Sequence, residues 1–140
     1  MTARRVYDRT PAQGFALAFG VVYLAVGILG FAVTGWDRFF GDTGEKLIAF
    51  ELNPFHNVVH LLLGIVWLVS SDDHYRAKMV NLGFGIAYAL VGILGVFGVF
   101  DSILSANPAD HGLHFVSAAL AIYFGTFGAE FPQFVDADGA

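Results

Sequence analysis

The chain has 140 residues, no cysteine, 14% charged and 56% hydrophobic residues, with a mean hydropathy of +0.65. A soluble domain carries about 25% charged residues, so the composition argues against one. It also excludes intrinsic disorder, a disulfide scaffold, thiolate metal sites and covalent c-type haem. Lys+Arg number 7 and Asp+Glu 12, for a net charge of −5, which argues against binding nucleic acid through charge. The length allows one domain.

Four stretches lack Asp, Glu, Lys and Arg: 13–34, 54–71, 79–100 and 111–129. Each is about long enough to cross a hydrocarbon core of roughly 30 Å as a helix, the form in which lipid-exposed backbone bonds itself. The expected fold is an all-α four-helix membrane bundle. Arg4, Arg5 and Arg9 precede the first span as they would in a signal peptide. The apolar run is too long for one, and no small-x-small cleavage site precedes Trp36, so a retained helix is expected. Five basic residues (Arg4, Arg5, Arg9, Arg76, Lys78) stand against two (Arg38, Lys46) at the other end. That asymmetry places both termini in the cytoplasm: tail 1–12, membrane domain 13–129, acidic tail 130–140. The long connection 35–53 mixes Asp37, Asp42, Glu45 and Glu51 with Trp36, Phe39, Phe40 and Phe50, which reads as an interfacial segment, a short helix on the outer surface.

The spans repeat. Phe19-Gly20-x-x-Tyr23-x-x-x-Gly27-Ile28-Leu29-Gly30 returns as Phe84-Gly85-x-x-Tyr88-x-x-x-Gly92-Ile93-Leu94-Gly95, and Asn53-Pro54-x-His56-Asn57-x-x-His60 as Asn107-Pro108-x-Asp110-His111-x-x-His114. A two-helix hairpin is thus used twice (13–71 and 79–129) with the same orientation, and parallel repeats imply a pseudo-two-fold axis along the membrane normal. The repeated glycines suit close helix packing; the alternative is that they line a cavity.

Arg9-Thr10-Pro11-Ala12-Gln13, the aromatic-Gly…Gly-Ile-Leu-Gly first helix and Asn53-Pro54-Phe55-His56-Asn57-Val58-Val59-His60-Leu61 resemble a family of small bacterial membrane proteins, common in actinobacteria and catalogued as domain of unknown function 4383. The resemblance runs from about Thr10 to Gly128. It implies a four-helix membrane protein and no activity. Asp110 and His114 match the family's pattern, whereas His111 sits where the family often has another polar residue.

Asn53 and Asn107 are N-cap candidates, with Pro54 and Pro108 at the first helical position. Asp110 then sits at the third, where a carboxylate can close the cap. His60 and His114 lie one turn further in, each sharing a helix face with His56 or Asp110. The repeat brings His56, His60, Asp110 and His114 toward one another, a set suited to zinc, copper or iron, with Asn57 and His111 as flanking partners. Three readings stay open: interhelical hydrogen bonds from His60 and His114; a metal ion, or a b-type haem with His60 and His114 as axial ligands; and titrating histidines that carry protons or sense pH. His74 reads as a solvated loop residue, and Trp36 and Trp67 as anchors at opposite membrane surfaces. No Ser/His/Asp set, phosphate loop or paired mid-membrane carboxylates are present. The favoured function is therefore a non-enzymatic accessory or scaffolding subunit of a membrane assembly. Its partners would be the lipid bilayer and either further copies or a larger complex. A metal- or haem-binding redox or metal-handling protein is the alternative.

Overall fold

A capping side chain followed by proline starts three of the helices. The computed structural model describes residues 9–127. In it, α1 (Pro11–Thr34) follows Thr10, α2 (Pro54–Ser70) follows Asn53, and the last helix, Pro108–Thr126, follows Asn107. Proline lacks only an amide that the first turn cannot pair anyway, and the preceding side chain satisfies one of the others. Gln13 N donates to Thr10 Oγ1 at 3.4 Å, and Thr10 N donates back to Gln13 Oε1 at 3.1 Å. Asp73 caps α3 (His74–Val96) by accepting from Arg76 N at 2.8 Å.

The long connection differs from the expected surface helix. It forms an antiparallel hairpin, β1 (Lys46–Leu47) with β2 (Phe50–Glu51), closed by a Lys46–Glu51 ion pair at 3.1 Å. The charge-free rule also misplaces α3, which starts at His74 rather than Met79, because Asp73 supplies the cap and a helix accepts Arg76 and Lys78 in its first turns. It ends at Val96, shortly before Gly98 at φ 73°, a conformation open to glycine at no steric cost. A single-turn helix, α4 (Asp101–Leu104), then leads to α5 (Pro108–Thr126). The tail 130–140, the end of the fourth span, and Arg4 and Arg5 lie outside the described residues.

Helix α1 packs chiefly along α2, and α3 chiefly along α5. Glycines make both seams close. A Cβ at Gly20 would lie 2.7 Å from Leu68 Cγ, and one at Gly85 2.7 Å from Ile122 Cγ1. The same relation holds for Gly27 with Leu61 and Gly92 with Phe115, and for Gly30 with Asn57 and Gly95 with His111. These glycines therefore pack helices; they do not line a cavity. Among the described residues, α1 and α3 are long and apolar enough to cross a membrane.

Trp67 is not at a surface. It is 0% exposed, its ring packed against Phe19, Tyr23 and Phe84 with centroids 4.9–5.4 Å away. Trp67 Nε1 donates to Asn81 Oδ1 at 3.0 Å, and Asn81 Nδ2 donates to Ala12 O at 3.0 Å. Burying the indole is permitted because that partner stands within the bundle. His74 is likewise no free loop residue: its Nδ1 lies 2.8 Å from Thr10 Oγ1, joining the starts of α3 and α1.

Gly85 and Gly83 separate packing from propensity. Gly83 has nothing within 4 Å of a Cβ position, so Gly83→Ala is expected to raise stability by about 0.5–1 kcal/mol. Gly85→Ala forces the α3/α5 seam apart and is expected to cost about 1–3 kcal/mol. Thermal unfolding in mild detergent, followed by helical circular dichroism, checks the opposite signs.

Candidate functional site

The N-caps of α2 and α5 do more than start helices. Asn53 Oδ1 accepts from His56 N at 2.8 Å, while its Nδ2 donates to Ile103 O at 2.7 Å and Gly41 O at 3.0 Å. Asn107 Oδ1 accepts from Ala109 N and Asp110 N, and its Nδ2 donates to Ala49 O at 2.9 Å. Each cap thus ties a helix end to the connection lying over it. Asp110 is buried, and its Oδ2 accepts from Asn107 N at 2.8 Å, completing a capping box. A carboxylate at the positive end of a helix is well placed, and this one is committed there.

His56 Nδ1 lies 3.0 Å from Leu104 O. A carbonyl only accepts, so this nitrogen carries the proton. The His56 and His60 rings are 4.4 Å apart. From His60 a series of rings crosses the bundle: His60–Tyr23 at 5.2 Å, Tyr23–Tyr88 at 5.8 Å and Tyr88–His114 at 5.3 Å. Tyr23 OH donates to Ser117 Oγ at 3.4 Å. Tyr88 OH, His60 Nδ1 and His114 Nδ1 are buried without a hydrogen-bond partner among the described residues. The interhelical bonds expected of His60 and His114 are therefore absent at Nδ1; ring packing against tyrosine takes their place.

Two cavities flank this series. One, of about 210 Å³, lies between α2 and α3 and is lined by His56, His60, His114 and Tyr88 together with apolar side chains. The other, of about 250 Å³, lies between α1 and α5 under the β-hairpin, and His60, Asp110, His114, Ser117 and Tyr23 line it. His56 and Asp110 thus belong to different cavities, so the four expected ligands do not share one space. Among the described residues no group of three or more His, Asp or Glu side chains is placed to hold a metal ion. Both cavities fall below the roughly 300 Å³ at which ordinary small-molecule pockets begin.

Asn57 and His111 also point elsewhere. Asn57 Nδ2 donates to Thr34 Oγ1 at 2.9 Å, and its amide packs under Gly30. His111 packs under Gly95, with Nε2 3.4 Å from Asp101 Oδ1. The glycine opposite each side chain leaves room for it there, which draws both away from His60 and His114. Asn81 was missed by reading the histidines alone. Asn81 is the one amide in the third charge-free span, and an isolated polar side chain in such a span is the usual sign of an interhelical bond.

The family model for domain of unknown function (DUF4383) matches residues 13–127. The chain belongs to this family. Comparison with curated proteins and with solved structures gave no match. Membership agrees with the resemblance carried by the Asn53–Leu61 segment and assigns no activity.

If the histidines are packing and cavity groups, His60 and His114 hold no ion. After metal-replete growth, the purified protein and a His60→Ala/His114→Ala double variant are expected to carry the same substoichiometric iron, copper and zinc by elemental analysis. Metal near one atom per chain, lost in the double variant, would reverse that assignment.

Proposed function

We propose that this DUF4383 protein is a multi-pass integral protein of the cell membrane. In this reading it is a four-helix bundle of two parallel hairpin repeats with cytoplasmic termini, serving as a non-enzymatic accessory or scaffolding subunit of a membrane assembly. The observation that carries the reading is the inverted distribution of polarity. Asn53, Asn57, Asn81, His56 and Asp110 are buried, while Val21, Ile28, Leu62, Val69, Leu90 and Val116 are exposed. Soluble monomers rarely present so broad an apolar surface. Lipid welcomes it and penalises polar groups turned outward.

Helices α2 and α5, with 17 and 19 residues, are about 26 and 29 Å long at 1.5 Å per residue, close to a hydrocarbon core of roughly 30 Å. Polar bonds gather at the two ends. Arg9 Nη1 donates to Ser71 Oγ at 3.2 Å and Lys78 Nζ to Thr126 O at 3.2 Å at one end. At the other, Arg38 Nη2 donates to Thr43 O at 3.2 Å, and Lys46 pairs with Glu51. The basic excess at the first end supports a cytoplasmic assignment. The recurrence of the glycine contacts along α1/α2 and α3/α5 supports the parallel repeat. For an accessory role, the support is how the polar side chains are used: Asn53, Asn81, Asn107 and Asp110 bond helix to helix or close caps, and the outer surface offers neighbours an aliphatic face.

The absence of cysteine makes single-cysteine labelling clean. A membrane-impermeant maleimide is expected to label Ile48→Cys, at a position 90% exposed, in intact cells, and Asp72→Cys only after permeabilisation. The opposite pattern would reverse the orientation, and recovery of both variants in the soluble fraction would refute membrane insertion. A photocrosslinking residue at Leu90, in native membranes, is expected to give a discrete species above the monomer. Monomer alone would remove the accessory role.

A further inference from the structure

The two-helix repeat is broken at the end of the bundle where α2 turns into α3. Val80 of α3 stands where the first copy has Phe15, and Ser70 of α2 stands where the second copy has Phe124. Phe15 and Phe124 stack between α1 and α5 with ring centroids 4.8 Å apart. Val80 and Ser70 are too short to meet in that way, and Ser70 Oγ turns back to donate to Trp67 O at 2.8 Å. What remains between α2 and α3 is an apolar groove of about 490 Å³, larger than either interior cavity. Val69 and Met79 on its walls are 61% and 69% exposed.

The same end brings a cation to the rim of the groove. Arg76 stands at the repeat position of Pro11, so the first copy has no counterpart to it. Its side chain is 61% exposed, and among the described residues its guanidinium meets an acceptor only through Nε, 3.7 Å from Asp73 Oδ1. That oxygen already accepts from Arg76 N at 2.8 Å as the cap of α3, and Asp72 lies 3.9 Å from Arg9 Nη1. Both Nη groups of Arg76 are thus left to bind from outside. The neighbouring Tyr75 is exposed as well. In the membrane reading above, this level is the cytoplasmic surface of the bilayer. Val69 and Met79 then lie among acyl chains, and Arg76 lies among phosphates, whose oxygens a guanidinium pairs bidentately.

We propose that this α2/α3 groove is a binding site for an anionic phospholipid of the cytoplasmic leaflet, with one acyl chain between Val69 and Met79 and the phosphodiester on Arg76. The proposal rests on the membrane reading and goes beyond it by naming a ligand class and its site. Charge complementarity selects the headgroup. Arg9, Arg76 and Lys78 against Asp72 and Asp73 leave this end net positive, and basic clusters beside a membrane gain from anionic lipid. A glycerol headgroup keeps that attraction, whereas choline sets a quaternary cation beside the guanidinium. The matching place between α1 and α5 offers neither part, since Phe15 and Phe124 occupy it and Pro11 carries no charge.

The test uses the full chain, purified in mild detergent and supplied with equal amounts of dioleoyl phosphatidylglycerol and dioleoyl phosphatidylcholine. Native mass spectrometry counts the lipid that each chain retains. One phosphatidylglycerol per chain is expected, preferred about tenfold over phosphatidylcholine. Arg76→Gln, at an exposed position, is expected to bring the two lipids to parity, while Lys46→Gln at the other end of the bundle keeps the preference. Val80→Phe restores the ring of the first copy and is expected to abolish retention of both lipids. Equal retention of the two lipids by the unaltered chain would overturn the proposal. So would a preference that survives Arg76→Gln, unchanged retention by Val80→Phe, or a dimer without lipid, which would assign the groove to a second copy. Should Val80→Phe fail to fold, the Arg76→Gln comparison decides alone. A chain that stays soluble without detergent overturns the membrane reading too, whereas a detergent-dependent chain with no lipid preference overturns only the site.

Discussion

The bundle depends on a buried indole and the amide that receives its proton. Trp67 presents a large apolar ring to Phe19, Tyr23 and Phe84, and its N–H needs a partner wherever water is excluded. Asn81 supplies the acceptor and passes the connection to the Ala12 carbonyl in the first turn of α1. One short relay thus fixes α1, α2 and α3 relative to one another. That matters because α2 and α3 share little other contact, each being packed on its own partner along a glycine seam. The relay ties the three helices together toward the end of the bundle where Arg9 and His74 sit.

The glycine seams determine where polar side chains go. With Gly30 and Gly95 opposite them, Asn57 and His111 fit between paired helices. His60 and His114, one turn along, have Tyr23 and Tyr88 opposite instead. Two residues of similar chemistry on neighbouring turns therefore meet different environments, one a tight slot and the other a ring series with space beside it. Tyr23 and Tyr88 meet between the α1/α2 and α3/α5 pairs with ring centroids 5.8 Å apart, while the glycines bring helices together within each pair.

Much of the framework was legible in the chain itself. The Asn-Pro and Thr-Pro pairs announce helix starts because capping and proline chemistry are local, and the charge-free stretches announce where the helices run, though not where α3 starts or stops. Local rules failed where a distant partner decides. A β-hairpin replaced the expected surface helix over 35–53, in a segment joined to its surroundings by Asn107 Nδ2 on Ala49 O and by Thr43 N on Ser105 Oγ. Trp67, read as an anchor from its place near a span end, turned inward because Asn81 stood across from it. At the candidate site, the sequence repeat pointed to His56, His60, Asp110 and His114 as a converging set. Spacing along single helices could not reveal that His56 and Asp110 would line separate cavities.

The sequence by itself determined the helical, lipid-compatible character of this protein, its family, its caps and its twofold use of one hairpin pattern. These follow from composition and from interactions within a few residues of each other. Only the tertiary structure decided which polar groups are satisfied. A serine or a leucine at one repeat position, Ser117 or Leu63, differs little as local sequence. Placed across the bundle from Tyr23, the serine accepts its hydroxyl at 3.4 Å; the leucine has no acceptor to offer. The physical reason is that satisfying a buried donor requires an acceptor at bonding distance, and that distance exists only once the helices are side by side.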